Sequence, residues 1–154
     1  MKQKEKVLVT GVFDILHQEH LIFLKKAASV GPLYVGLESD IRVKRIKGDG
    51  RPVNSQQVRK KNLEELGIAQ EVFVLPETFD SPEERLRFLN ELKPTVLAVS
   101  SHSPHLENKA RLMQEIGGRV EIVHQFNPEV STTKILEERA KAPQSDSMAD
   151  ALEV

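Results

Sequence analysis

The sequence has no cysteine among its 154 residues. This absence excludes disulfides, thiolate nucleophiles, Cys-ligated zinc and iron–sulfur clusters. Long hydrophobic runs are also missing, since no stretch approaches the ~18 apolar residues of a membrane-spanning helix. The basic start is followed by too few apolar residues for a secretory signal peptide. We therefore expect a soluble, cytoplasmic protein without a membrane partner.

An excess of charge of either sign is lacking too. The 22 Lys and Arg residues against 23 Asp and Glu give a net charge of −1, so there is no overall attraction to nucleic acid. The distribution is uneven, because residues 42–61 contain eight basic residues and one acid, which leaves 14 basic and 22 acidic residues elsewhere. Gly48 and Gly50 favour a loop there. The pattern predicts a basic loop that binds phosphates locally and leaves nucleic acid alone.

Short apolar runs alternate with segments of helical period, which is typical of β-α-β units. The fold class predicted is α/β: a Rossmann-like five-stranded parallel sheet with helices on both faces. The predicted strands are Val7–Thr10, Leu33–Glu38, Glu71–Leu75, Thr95–Val99 and Val120–Val123. The predicted helices are His20–Val30, Ser55–Gly67, Pro82–Leu92, Leu106–Ile116 and Thr132 to about Ala140. The length indicates one domain, residues 1–140, followed by a flexible tail, residues 141–154.

Helix boundary signals support this assignment. Asn54 is expected to cap the second of these helices, and Gly67 to end it in the left-handed conformation. Ser81 followed by Pro82 has the pattern of a capped start with proline in the first helical position. We interpret these signals as structural.

The turn after the first strand is the candidate site, because ligands of open parallel sheets bind at the carboxyl ends of the strands. It has neither the G-x-G-x-x-G of dinucleotide sites nor a P-loop. Gly11 permits close approach of a ligand, and His17 and His20 share one face at a helix start. Three interpretations stay open: a structural pair, a metal pair completed by Asp14, or imidazoles that bind a nucleotide triphosphate. The third accounts best for the rest of the chain, and no metal site is predicted.

The segment GVFDILHQEH resembles the G-x-F-D-x-x-H-x-G-H signature of the cytidylyltransferase-like nucleotidyltransferases. This HUP-type family includes glycerol-3-phosphate cytidylyltransferase, heptose-phosphate adenylyltransferases and archaeal-type FAD synthases. The resemblance continues through Asp40–Gly48, Arg51–Asn54 and Arg59, and Val130–Ile135 is similar to the family's I-S-T-T-x-I element. It implies transfer of AMP or CMP from ATP or CTP, with Mg²⁺, to a small phosphorylated alcohol, and release of pyrophosphate.

The resemblance also implies residue roles. His17 and His20 would donate hydrogen bonds to the α-phosphate and the departing pyrophosphate, Lys44 would lie between nucleotide and acceptor phosphates, and Arg59 would bind phosphate. Further contacts to the nucleotide are expected from the first turn and from the start of the last helix, namely Thr10, Gly11, Val12, Phe13, Ser131, Thr132 and Thr133. Since many relatives are dimers, a homodimer is a reasonable expectation.

The sequence departs from the family pattern in places. Glu19 stands where the motif has glycine, and it either turns aside to favour the helix start, helps to hold Mg²⁺, or alters nucleotide binding. His102 and His105 follow the fourth strand, where they either contact base or ribose or simply decorate a loop. The run Asn127–Glu129 favours ATP slightly over CTP. The alternatives to an enzyme are a nucleotide or phosphometabolite sensor of the same fold and a structural partner module.

Overall fold

The computed structural model describes residues 5–125, in which five parallel strands form one sheet. The strands are β1 (Val7–Gly11), β2 (Leu33–Leu37), β3 (Glu71–Val74), β4 (Val96–Ser100) and β5 (Arg119–His124). Their order across the sheet is β3-β2-β1-β4-β5. The predicted fold class is confirmed, and each strand end lies within one residue of its predicted position. The strand order reverses between β1 and β4, which is where ligands bind in sheets of this kind.

Five helices in the described part of the chain connect or follow these strands. They are α1 (Gln18–Val30), α2 (Asp40–Lys47), α3 (Gln56–Glu65), α4 (Pro82–Leu92) and α5 (Leu106–Glu115). Four of them correspond to predicted helices. The helix expected from Thr132 to about Ala140 and the tail at residues 141–154 lie outside the described residues.

The prediction of a loop over the basic stretch is wrong for its first part, because residues 40–47 form α2. Ser39 caps this helix, and its hydroxyl accepts a hydrogen bond from the Arg42 backbone N–H at 3.2 Å. Gly48 ends it with a φ of +89°, and its N–H donates to the Lys44 carbonyl at 2.8 Å. The glycines therefore end a helix, and the cations of its last turn lie at the negative end of its dipole.

Three other helix boundaries test the expected caps. Ser55, and not Asn54, caps α3, because the Ser55 hydroxyl accepts the Val58 N–H at 3.3 Å. The expected left-handed Gly67 is confirmed by its φ of +68°. The Ser81 cap of α4 is confirmed as well, since its hydroxyl accepts the Glu84 N–H at 3.1 Å.

Side chains alternate between the two faces of the sheet and so divide the core in two. Val7 and Val9 point to the face covered by α1 and α3, where they pack with Phe23 and Leu63. Leu8 points to the opposite face, which α4 and α5 cover through Leu89 and Met113. Burial on both faces explains why the strands are continuous apolar runs. Within residues 5–125, no helix is long and apolar enough to cross a membrane.

Candidate functional site at the carboxyl end of the first strand

The turn between β1 and α1 is shaped by Phe13. Its backbone has a φ of +50°, a left-handed conformation that costs a non-glycine residue about 1 kcal/mol. The side chain is 1% exposed, and its ring meets the ring of His20 edge-on, with 5.3 Å between the centroids. The Phe13 ring therefore braces His20 from the core side.

His17 and His20 form a compact pair at the start of α1. Their rings stack with centroids 3.8 Å apart, and the His17 backbone N–H donates to Nδ1 of His20 at 3.3 Å. Since Nδ1 accepts this bond, the proton of a neutral His20 ring is on Nε2. Among the described residues, neither His17 ring nitrogen nor Nε2 of His20 has a hydrogen-bond partner, although all three are buried.

The electrostatics of the pair favour neutral rings. Burial lowers the pKa of His20 well below its ordinary value, and the neighbouring His17 lowers it further. Burial also lowers the pKa of His17, while the negative charge of Glu19 opposes that shift. Buried polar atoms normally have partners, so unpartnered donors at a strand end are typical of a ligand site.

Asp14, considered as a metal ligand from the sequence, has a different role in the structure. Its carboxylate is fully buried and accepts hydrogen bonds from the backbone N–H groups of Val53 and Asn54 at 2.7 and 2.8 Å. Arg51 pairs with the same carboxylate at 3.2 Å. Asp14 thus holds the loop after α2 against the first turn, and its oxygens are already occupied.

The guanidinium of Arg59 is also fully engaged in contacts within the protein. Its side chain is 0% exposed, and it donates to three backbone carbonyls, those of Asn54 at 3.0 Å, Val12 at 3.0 Å and Glu38 at 2.9 Å. A fourth contact reaches the Asp40 carboxylate at 2.7 Å. The guanidinium thus joins the ends of β1 and β2 to the starts of α2 and α3, and no part of it faces solvent. The phosphate contact that the resemblance implies for Arg59 stays a prediction.

Glu19 turns toward β5. It is 7% exposed, and its carboxylate approaches Nε2 of His124 at 3.3 Å without the alignment of a hydrogen bond. The other ring nitrogen of His124 lies 3.2 Å from the Lys26 ammonium. Across residues 5–125, no three His, Asp or Glu side chains gather as a metal site would require. Of the three expectations for Glu19, the side chain adopts the first.

A cavity of about 290 Å³ opens on the opposite face of the sheet from α1. Its floor is apolar and includes Leu8, Leu89 and Leu97, and its wall includes the end of β1 from Thr10 to Val12. Charged and polar side chains surround this floor; they include Glu38, Arg42, Lys47, Arg85, His105, Asn108 and Lys109. The cavity and the His17–His20 pair thus flank the carboxyl end of β1 from its two sides.

The cavity has more cations than anions. Burial lowers the pKa of Lys109 to about 8, and nearby Arg85 lowers it while Glu38 raises it. Burial raises the pKa of Glu38, against the opposing pull of Arg42, which pairs with it at 3.3 Å. Arg85 donates to the Phe79 carbonyl at 2.7 Å, and Lys109 donates to the Ser103 hydroxyl at 2.6 Å, so neither uses a carboxylate there. This arrangement suits an anionic ligand with an apolar or polyhydroxylated body.

The structure brings together only some of the predicted residues. Thr10, Gly11 and Val12 line the cavity, and so does His105, which directly precedes α5. Lys44 is exposed on α2 and is absent from the described cavity lining, and His102 is exposed in the loop after β4. The Ser131–Thr133 cradle lies outside the described residues.

Sequence reasoning missed two cations of the cavity, Arg85 and Lys109, although it did include Arg42 and Lys47 in the basic stretch. Lys109 lies between Leu106 and Met113 on the apolar stripe of α5, and Arg85 precedes Leu89 on that of α4. A basic residue within an apolar stripe was the available signal, since such a residue is directed toward the sheet.

These features define a class of protein. The sheet reverses its strand order beside β1, unpartnered imidazoles begin the first helix, and a cationic cavity lies across the same strand end. Together they describe a Rossmann-like domain with a candidate anion site at the switch point of its sheet. The family within this class follows from sequence. The profile of the cytidylyltransferase-like family matches residues 8–138, and the chain belongs to this family.

Similar proteins agree with that assignment. The chain is 39% identical over 140 residues to a bifunctional protein HldE of Shewanella denitrificans. The matched region covers 89% of this chain and 28% of that protein. The corresponding protein of Pelobacter propionicus is 38% identical over 136 residues, covering 87% and 27%. The chain thus spans little more than a quarter of these relatives.

Solved structures share the fold. A lipopolysaccharide core biosynthesis protein of Thermoplasma volcanium has a TM-score of 0.66 at 23% identity, over 81% of this chain and 98% of that one. A pantoate-beta-alanine ligase of Francisella tularensis, complexed with an ATP compound and beta-alanine, has a TM-score of 0.61 at 15% identity, over 91% and 70%. At these identities the likeness concerns the fold alone.

Proposed function

We propose that this chain is a nucleotidyltransferase that moves AMP or CMP from ATP or CTP to a sugar phosphate. An oxygen of the acceptor phosphate attacks the α-phosphorus, a new P–O bond forms, and the bond from the α-phosphorus to the bridging oxygen breaks. Pyrophosphate leaves with the bonding electrons. The products are a nucleoside diphosphate sugar and pyrophosphate.

The unpartnered imidazole donors of the His17–His20 pair are the observation on which this proposal rests. A neutral His20 with its proton on Nε2 is a fixed donor for a phosphoryl oxygen whose charge grows in the transition state. Neutral rings are useful here, because such a donor stabilises the growing negative charge through a hydrogen bond and does not transfer its proton. Membership of the cytidylyltransferase-like family supports the same reaction class.

The cavity provides a place for the acceptor. Arg85 and Lys109 supply positive charge for its phosphate, while Glu38 and Asn108 supply hydrogen-bonding groups for sugar hydroxyls. The acceptor then reaches the nucleotide over the end of β1, where Gly11 leaves the backbone uncovered by a side chain. Such positioning of two reactants is the main catalytic resource in phosphoryl chemistry.

Magnesium enters this proposal as part of the nucleotide substrate. The described residues do not gather three acidic or histidine side chains, and both oxygens of the Asp14 carboxylate accept backbone hydrogen bonds. Mg²⁺ is therefore assigned to the triphosphate oxygens, where it would neutralise the charge of the leaving pyrophosphate. No protein ligand is assigned to it.

Pyrophosphate release tests the proposal directly. The protein would be incubated with each of ATP, CTP, GTP and UTP, with Mg²⁺, and with a panel of acceptors that includes heptose and hexose 1-phosphates and the polyol phosphate glycerol 3-phosphate. We expect release with one nucleotide and one acceptor, and a loss on the order of 10² to 10³ in kcat for His20→Ala. His20→Gln, which retains an N–H donor, should lose less.

The acceptor site has its own matched pair of variants. Lys109→Ala should raise the KM for the acceptor, whereas Lys61→Ala, which removes an ammonium whose side chain is 76% exposed, should not. Nucleotide binding without turnover across the whole panel would favour a sensor. Neither binding nor turnover would refute both functions.

A further inference from the structure

The Glu19–His124 contact is a second buried feature of α1 that the proposed reaction does not use. Both residues are buried, at 7% exposure each. Glu19 lies between the two stacked histidines in the sequence: His17 is two positions before it, and His20 follows it directly. A carboxylate shielded from water at this position needs a partner, since burying an unpaired charge is costly.

His124 lies between Lys26 and Glu19, with a hydrogen bond on the Lys26 side and a 3.3 Å contact without hydrogen-bond alignment on the Glu19 side. An ammonium can only donate, so Nδ1 of His124 accepts from Lys26 Nζ across 3.2 Å. The proton of the neutral ring is then on Nε2, 3.3 Å from the Glu19 carboxylate. The imidazole is thus polarised between a cation and an anion, and its tautomer is set by the lysine.

The Glu19–His124 contact connects two elements of the site. Glu19 is in the first turn of α1, and His124 ends β5, where its carbonyl accepts the Ser101 N–H at 2.9 Å. The first turn of α1 is therefore held from two sides, by the Phe13 ring against His20 and by His124 against Glu19. Glu19 also acts electrostatically on the pair, because its charge raises the pKa of His17 against the effect of burial.

We propose that Glu19 is a positioning residue: through His124 and Lys26 it fixes the first turn of α1 to the end of β5 and so keeps the His17 and His20 donors aimed at the phosphates. This proposal rests on the proposed function of the imidazole pair. Glu19 itself touches neither nucleotide nor acceptor. A bulky acid is accommodated at this place because the side chain turns into the protein and finds a partner there.

The experiment compares Glu19→Gln, His124→Gln and the double variant with the wild type. Glu83→Gln is the matched control, because Glu83 occupies the same second position of α4 but is exposed. Each single variant should lose about 10-fold to 100-fold in kcat with less than about 2-fold change in nucleotide KM, since misplaced donors weaken the transition state most. The double variant should lose no more than the worse single one.

A merely structural role would lower the melting temperature and leave kcat unchanged below it. Unchanged kcat in Glu19→Gln, or losses that multiply in the double variant, would overturn the proposal.

A second readout separates this proposal from the proposed function. Nitrogen-15 spectra of the histidine rings report tautomer and environment without any turnover. We expect the His17 and His20 signals to move or broaden in Glu19→Gln and to stay in place in Glu83→Gln. A wild type without turnover would refute the transferase reaction, yet these spectra would still test the positioning. If only the His124 signals moved in Glu19→Gln, the positioning proposal would be overturned.

Discussion

Replacing Arg59 by methionine is the sharpest test of how the site is built. Methionine is unbranched and uncharged, so the substitution keeps an apolar stem of the same kind and removes the guanidinium. In the wild type that group is fully buried and bridges three backbone carbonyls and the Asp40 carboxylate. After the substitution, the carbonyls of Val12, Glu38 and Asn54 lose a charged donor.

The expected loss of stability follows from these contacts. A buried charge pair broken on one side costs about 3–5 kcal/mol, and a hydrogen bond to a charged donor is worth about 1.5–3 kcal/mol. We use about 3–5 kcal/mol for the whole set, because the loops can relax and the Asp40 side chain is 38% exposed. In a domain of this size ~1 kcal/mol corresponds to about 2–4 °C, so the melting temperature should fall by about 6–20 °C.

Calorimetry of the wild type, Arg59→Met and Lys60→Met measures this difference. Lys60 is the neighbouring residue on α3, and its side chain is 40% exposed in a weak pair with Glu64. Its loss should change stability by no more than ~0.5 kcal/mol. If Arg59→Met melts within about 2 °C of the wild type and instead raises the nucleotide KM, the guanidinium binds phosphate and our structural interpretation is wrong.

Three further predictions concern protonation and the first turn. Burial lowers the pKa of His20, so the unfolded chain takes up a proton that the folded chain does not. As the pH drops below the ordinary pKa of histidine, the free energy of unfolding should therefore decrease by up to ~1.4 kcal/mol per pH unit. Urea titrations from pH 7 to 5 should show a smaller decrease in His20→Asn than in the wild type. Because the pKa of Lys109 is lowered to about 8, the acceptor KM should rise between pH 7 and 9; the same rise in Lys109→Met would contradict this. Asp14→Asn should cost on the order of 3 kcal/mol in urea unfolding, because its amide would face backbone donors, whereas Asp80→Asn, at 50% side-chain exposure, should cost little.

The strands could be predicted because burial on both faces requires continuous Val, Leu and Ile, and such runs are visible without tertiary information. Helix α2 could not be predicted in this way. Only three of its eight residues are buried, two of these are Arg42 and Lys47, and glycines follow it. Its formation depends on the Ser39 cap and on the Asp40 contact with Arg59, which joins residues 19 positions apart.

Residue type alone also could not give the roles of the charged groups. A guanidinium fits a phosphate and a cluster of carbonyls equally well, and its burial decides between them. The resemblance to the family located the imidazole pair, because that motif is local in sequence. The cavity joins Glu38 of the loop after β2, Arg85 of α4 and Lys109 of α5, so its charge became visible only when the chain was folded.

The two halves of the site are mechanically connected through one turn. The Val12 carbonyl accepts from Arg59, while Val12 itself lines the cavity and the adjacent Phe13 braces His20. A displacement of this turn therefore reaches the acceptor cavity and the imidazole donors together. Loss of the Arg59 bridge should accordingly raise the acceptor KM and lower kcat in the same variant, whereas Lys109→Ala should change mainly the KM and Glu19→Gln mainly kcat. Because the turn is the shared element, only its own supports are expected to affect both kinetic constants.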